Sequence, residues 1–255
     1  MRKTINKLFL IITVISALLL TTGCDLFIKT NKGQVDQKWY MGLTYEDDNG
    51  NDTDYTIGTD GTIAAVALED GYGDEFGIIK GEEAYLNINT IIKNIDKRFY
   101  VDATNNLVMF TDATKTYKTK IGGKTINETE NTDYVISFMD GKNCYVNVKF
   151  VKKYVDFDYK VVKAEGKSPA RIVLKYTSGE KNQMTVKSNI EMRTKADYQN
   201  LIVTTLKKNT KVTVLEESGD WTKVGTDDGF MGYVPAKKLK DKETKKTEFK
   251  SDADT

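Results

Sequence analysis

The strongest constraint on the fold is an internal repeat. Gly81 falls on Gly141, Tyr85 on Tyr145, Asn87 on Asn147, Asp96 on Asp156 and Val101 on Val161, an offset of 60 positions throughout. A repeat of that length implies that one supersecondary unit is used twice. Each copy carries a turn at Gly81 or Asp140-Gly141 that leads into a strand, Tyr85–Ile88 or Tyr145–Val148. A short helix follows, with Ile91, Ile92 and Ile95, or Phe150, Val151 and Tyr154, at helical spacing. Two strands then return: Phe99–Val101 with Leu107–Phe110, or Tyr159–Val161 with Ile172–Leu174. Asn105-Asn106 and Lys167-Ser168-Pro169 supply the turns. The units span about 76–112 and 136–176, within a region from 38 to 176.

This doubled βαββ-like pattern resembles the stalk-type domain at the N-terminus of copper amine oxidases, which many Gram-positive surface proteins carry. The resemblance covers about residues 76–176 and implies a paired α+β domain without catalysis. Ile121-Gly122-Gly123-Lys124 resembles the hairpin that joins paired units in that family. Copper chemistry is not carried over, because the chain has no histidine to bind the metal.

Residues 184–240 read differently. Short alternating strands at Met184–Lys187, Leu201–Leu206, Lys211–Leu215, Trp221–Val224 and Met231–Val234 are separated by turn residues. Five such strands at regular spacing predict a small barrel. The segment Asn189–Arg193, Gly219-Asp220-Trp221, Val224, and Gly229 followed by Gly232-Tyr233-Val234 resemble a bacterial SH3 domain. The Gly-Pro expected after the arginine is replaced by Thr194-Lys195-Ala196-Asp197. The resemblance implies binding of cell-wall peptides. Tyr198, Trp221 and Tyr233 are the candidate aromatic floor, and Asp220, Asp227 or Asp228 the candidate charge partner. The competing role for Trp221 and Val234 is barrel core.

The N-terminus bounds the location. Arg2, Lys3 and Lys7 precede an apolar run from Leu8 to Leu20, and Thr21-Thr22-Gly23 leads to Cys24. A basic head, a short apolar middle and a small-residue junction describe a secretory signal peptide over 1–23. The run is short for a bilayer span of about 20 residues, the alternative reading. With cysteine at the junction, the segment resembles a bacterial lipoprotein signal, which implies lipidation of Cys24 and a tether over 24–37. The expected location is the extracytoplasmic face of the cell membrane.

Composition removes several functions. Lys and Arg number 38 and Asp and Glu 37, and three of the basic residues lie before Cys24. A near-neutral remainder offers no clustered attraction for nucleic acid. The lack of histidine excludes serine–histidine and cysteine–histidine catalysis and the usual zinc sites. Cys144 lies in an alternating apolar run and reads as a buried small hydrophobe. Asp47, Asp48, Asp52 and Asp54 lack the calcium-loop pattern and read as a solvated loop. No metal, cofactor or catalytic residue is expected.

From 241 to 255 alternating charge without apolar period predicts a linker or tail. The expected fold is an α+β stalk-type domain plus an all-β SH3 barrel, after a lipoprotein signal. This order resembles the N-terminal half of clostridial surface proteins that continue into a family 18 glycoside hydrolase barrel. The acidic motif of that barrel, Asp-Gly-x-Asp-x-Asp-x-Glu, does not occur here. The expectation is a non-catalytic, lipid-anchored protein that binds peptidoglycan or another wall polymer, the targeting half or a truncated relative of such a hydrolase. The alternative is an interaction module that recruits a partner wall enzyme.

Overall fold

The computed structural model describes residues 30–250. The signal segment 1–23 and Cys24 lie outside the described residues. A four-residue helix α1 (Gln37–Tyr40) comes first, followed by the strands β1 (Thr44–Glu46), β2 (Asp52–Asp54) and β3 (Thr62–Ala67). The first repeat unit comprises β4 (Gly77–Lys80), β5 (Glu83–Asn87), α2 (Ile88–Asn94), β6 (Phe99–Asp102) and β7 (Leu107–Thr111). β8 (Thr116–Lys120), β9 (Thr125–Ile126) and β10 (Glu130–Asn131) link it to the second. That unit comprises β11 (Ser137–Asp140), β12 (Asn143–Asn147), α3 (Val148–Lys152), β13 (Asp158–Val162) and β14 (Ala170–Lys175). The C-terminal part is β15 (Gly179–Val186), β16 (Ile190–Arg193), β17 (Ile202–Leu206), β18 (Lys211–Ser218), β19 (Trp221–Gly225), β20 (Met231–Pro235), one 3₁₀ turn (Ala236–Lys238) and β21 (Leu239–Thr247).

The repeat is visible in the pairing. β5 and β12 run antiparallel as neighbours, second and third from one edge, in a seven-stranded sheet ordered β11-β12-β5-β4-β3-β14-β13. Leu86 faces Val146, Tyr85 faces Asn147 and Asn87 faces Tyr145. Equivalent residues therefore exchange places across a local two-fold through the Leu86–Val146 pair. Both asparagines are buried and cap the helix that follows. Asn87 Oδ1 accepts from Asn89 N at 2.9 Å, and Asn147 Oδ1 from Lys149 N at 2.8 Å. Each amide nitrogen donates to a carboxylate, Glu75 for Asn87 and Glu83 for Asn147. Gly81 and Gly141 both adopt positive φ, 61° and 56°, at the matching turns, where a side chain would be strained.

The two units then diverge. β13 and β14 stay in the main sheet, where β14 pairs in parallel with β3. β6 and β7 leave it and form a separate three-stranded sheet with β8. That small sheet packs on the helix layer through Phe99 and Phe110, whose rings meet Phe150 and Tyr154. Strands dominate throughout, and α2 and α3 are only seven and five residues long. The α+β expectation for 38–176 thus gives way to a mostly β chain with two short helices on one sheet face.

The C-terminal strands form a second seven-stranded sheet, β17-β16-β20-β19-β18-β15-β21. Its interior is not separate from the first sheet. Val186, Met192, Val203, Val224 and Val234 join Met41, Leu43, Ala65, Ile78, Tyr85 and Tyr145 in one continuous apolar cluster. Val35, Met41 and Leu43 belong to that cluster, and Tyr40 packs against it. Burial of this shared apolar surface holds the two halves together.

Two expected solvated segments are structured. Residues 30–37 of the expected tether run along the barrel. Ile202 N donates to Gly33 O and Val35 N to Ile202 O, both at 2.9 Å. A parallel edge contact needs no alternation of apolar residues, which is why it left no periodic signal. The expected linker after 240 is β21, paired with β15 from Gly179–Thr247 to Val186–Leu239. Its residues 240–246 are exposed on both faces, so charge alternation there marks a solvated ribbon. Exposed ion pairs reach over β15 between its two neighbours, Lys211 of β18 with Glu243 of β21 and Lys242 of β21 with Glu217 of β18.

Candidate functional site

The ladder between β19 and β20 sets which side chains face outward. Trp221 pairs with Pro235, Thr222 with Val234, Lys223 with Tyr233 and Val224 with Gly232. Side chains alternate along each strand, so Trp221, Lys223, Tyr233 and Pro235 share one face. Thr222, Val224 and Val234 are buried on the other. Val234 thus fills the core, whereas Trp221 and Tyr233 are half-buried on the outer face.

Tyr198 reaches this face from the loop between β16 and β17. Its ring meets Trp221 edge-on, with centroids 4.8 Å apart. The loop is built by short-range bonds: Thr194 N donates to Leu201 O at 3.0 Å, and Asp197 Oδ1 accepts from Gln199 N at 2.8 Å. Arg193 fastens it from below. Although 1% exposed, its guanidinium donates to Asn31 O at 2.9 Å, to Asn200 O at 2.6 Å and to the Glu191 carboxylate. It also lies 5.9 Å from the Tyr198 ring. A buried cation must be paired in this way, and the pairing fixes the loop that carries Tyr198.

The three aspartates separate. Asp220 is exposed on the β18–β19 turn beside Trp221, and its carbonyl accepts from Ala236 N at 2.8 Å. Asp227 and Asp228 lie beyond the far end of β19. At about 3.3 Å per residue, the strand alone puts them roughly 13 Å or more from Trp221. Asp227 pairs with Lys175 at 3.0 Å. The Asp228 carbonyl accepts from Arg171 Nε at 2.6 Å, and its carboxylate lies 3.9 Å from that guanidinium. Both belong to the junction with the first sheet, and Asp220 is the one of the three beside the aromatic pair. The sequence showed Asp227-Asp228-Gly229 as a turn but not the surface on which the turn packs.

Several residues at the site were not singled out from sequence. Tyr40 donates its hydroxyl to Met231 O at 3.0 Å and meets the Tyr72 ring edge-on at 5.8 Å. Burial, and then the neighbouring Tyr233, push the Tyr40 phenol up to about 12. Trp39, next to it, is 54% exposed. The available signal was Asp36, whose side chain accepts from Lys38 N and Trp39 N as a helix cap.

Among the described residues, no group of three or more His, Cys, Asp or Glu could hold a metal ion. In the acidic loop, the Asp47 carboxylate accepts from Asn49 N and Asn51 N, both at 2.9 Å.

Residues 188–240 match the bacterial SH3 domain family, and this part of the chain is a bacterial SH3 domain. No curated protein and no solved structure matches the chain.

Proposed function

We propose that the chain is a non-catalytic protein of the bacterial cell envelope, anchored through a lipid on Cys24, whose SH3 domain binds cell-wall peptide or glycan. Bacterial SH3 domains serve as protein-interaction or wall-binding modules. The observation that carries the choice is the outward Trp221 ring, met edge-on by Tyr198 and followed along the same face by Tyr233. Rigid aromatic faces give contact area at low entropic cost, and Asp220 stands beside them to meet an amine. Kinship with the targeting half of family 18 glycoside hydrolase proteins, and a stalk role for the repeated units, are part of this reading. They rest on the domain order and on the repeat.

The test is sedimentation of the full chain, in mild detergent, with purified cell walls. Retention in the wall pellet above a wall-free control supports the reading. Equal recovery in both refutes it. If wall-free extracts instead yield a stable complex with a wall enzyme, the partner-recruiting alternative replaces it.

A further inference from the structure

We propose that the ligand site of the SH3 domain is completed by residues outside it: Trp39 contacts ligand in a cleft that takes the carboxylate end of an extended peptide. The inference rests on the wall-binding reading of the domain.

The cleft lies between α1 and the Thr194–Leu201 loop and has a volume of about 420 Å³. That falls within the range of roughly 300–1,000 Å³ typical of small-ligand sites. Val35, Trp39 and Leu201 supply its apolar walls. Trp39 and Leu201 are 54% and 38% exposed, whereas Met41 and Leu43, two and four residues after Trp39, are buried.

The exposure of Trp39 does not come from a loose segment. Asp36 caps α1, Gln37 Nε2 donates to Val203 O at 2.8 Å, and the Tyr40 hydroxyl is bonded to Met231 O. Upstream, Asn31 N donates to Tyr198 O at 2.9 Å. α1 and the loop are thus fixed to the barrel by side-chain and backbone bonds. A large apolar ring held rigidly in solvent is the kind of anchor that dominates binding energies.

One loop links the cleft to the aromatic pair. The loop that forms one wall carries Tyr198, which packs on Trp221, while Tyr40 on the other wall is bonded to Met231 O, on the strand that carries Tyr233. An extended peptide could therefore run from the Trp221 side over the loop into the cleft. Lys195 is the one charged side chain among the residues lining it. A single cation at the rim of an apolar cleft favours a carboxylate, and the neighbouring Thr194 and Asn200 side chains can bond the last peptide unit. The occupant is thus a peptide terminus with a free carboxylate, rather than a neutral glycan.

The test uses the full chain, wall sedimentation, and competition by acetyl-Lys-Ala-Ala as the free acid or the C-terminal amide. Trp39→Ala should weaken wall retention about tenfold, with unchanged circular dichroism, and Trp39→Phe should restore most of it. The free acid should compete at least fivefold better than the amide, and Lys195→Ala should erase that difference. If Trp39→Ala binds as wild type while Trp221→Ala is impaired, the inference fails and the wall-binding reading stands. Equal competition by acid and amide overturns the carboxylate assignment. No retention of the wild-type chain overturns both.

Discussion

The Tyr72 hydroxyl accepts a hydrogen bond from Met231 N at 3.2 Å, so a residue before the first repeat unit is bonded to a strand of the SH3 barrel. The same hydroxyl donates to Gly229 O at 3.0 Å. Beside it, Arg171 places its guanidinium 4.3 Å from the Phe230 ring. The loop before β20 is thus gripped from the sheet side by three kinds of contact.

That grip makes Gly229 a sensitive position. Its φ is +85°, and a Cβ there would lie 2.9 Å from Val173 Cγ2 and 3.1 Å from Ala67 Cβ. Gly229→Ala should cost about 1–3 kcal/mol from backbone strain and overpacking. Arg171→Met should cost a similar amount, because the carbonyls of Pro169 and Asp228 lose their buried donor. Urea denaturation should show one cooperative transition at a lower midpoint. Separate transitions for barrel and sheet would contradict the shared core.

The repeat predicts matched energetics. Asn87→Ala and Asn147→Ala each remove a helix cap and the donor to a carboxylate, Glu75 or Glu83. Each should cost about 1–3 kcal/mol, and the two values should agree within about 1 kcal/mol. Chemical denaturation of both variants measures this, and a large loss for one with none for the other would contradict equivalence.

Alkaline pH should unfold the junction. The Tyr40 phenol is raised to about 12, by burial first and Tyr233 second, and burial raises Tyr72 as well. An unfolded phenol titrates near 10. The folded value is the higher one, so this contribution is intact below pH 10 and is lost as pH rises toward 12. Tyr40→Phe should flatten the fall in stability between those values. Cys144 behaves alike: burial raises its thiol to about 11. It should resist Ellman's reagent at pH 8 in the native protein and react once unfolded.

Lipidation of Cys24 is checked by a fatty-acid probe in growing cells. The wild-type chain should be labelled and partition with membranes, and Cys24→Ala should abolish the label. Persistent labelling of the variant would refute the anchor.

Legibility from sequence followed periodicity. Tyr85-Leu86-Asn87 and Tyr145-Val146-Asn147 announced one strand in each repeat unit because alternation and turn glycines are local signals, whereas their pairing with each other was not legible. Trp221 and Val234 were placed in the barrel, but only the β19–β20 register turned one outward and the other inward. Asp227 and Asp228 were misleading because a turn signal says nothing of the surface it packs on. Trp39 and residues 30–35 were missed because their contacts, such as Val35 with Ile202, join positions far apart in the chain. The return strands β6 and β13 look alike in sequence, yet their sheets differ, since partner choice depends on which edge is already occupied.

The most direct measurement is the affinity of the full chain for purified cell walls, compared between Trp221→Ala and Asp220→Ala. An exposed charge contributes only about 0.2–1 kcal/mol, whereas a truncated aromatic anchor costs about 2 kcal/mol or more. Trp221→Ala should therefore weaken retention roughly thirtyfold and Asp220→Ala at most about fivefold, with both variants folded by circular dichroism. Wild-type retention by Trp221→Ala, or a larger loss for Asp220→Ala, would contradict an aromatic binding face on the SH3 domain.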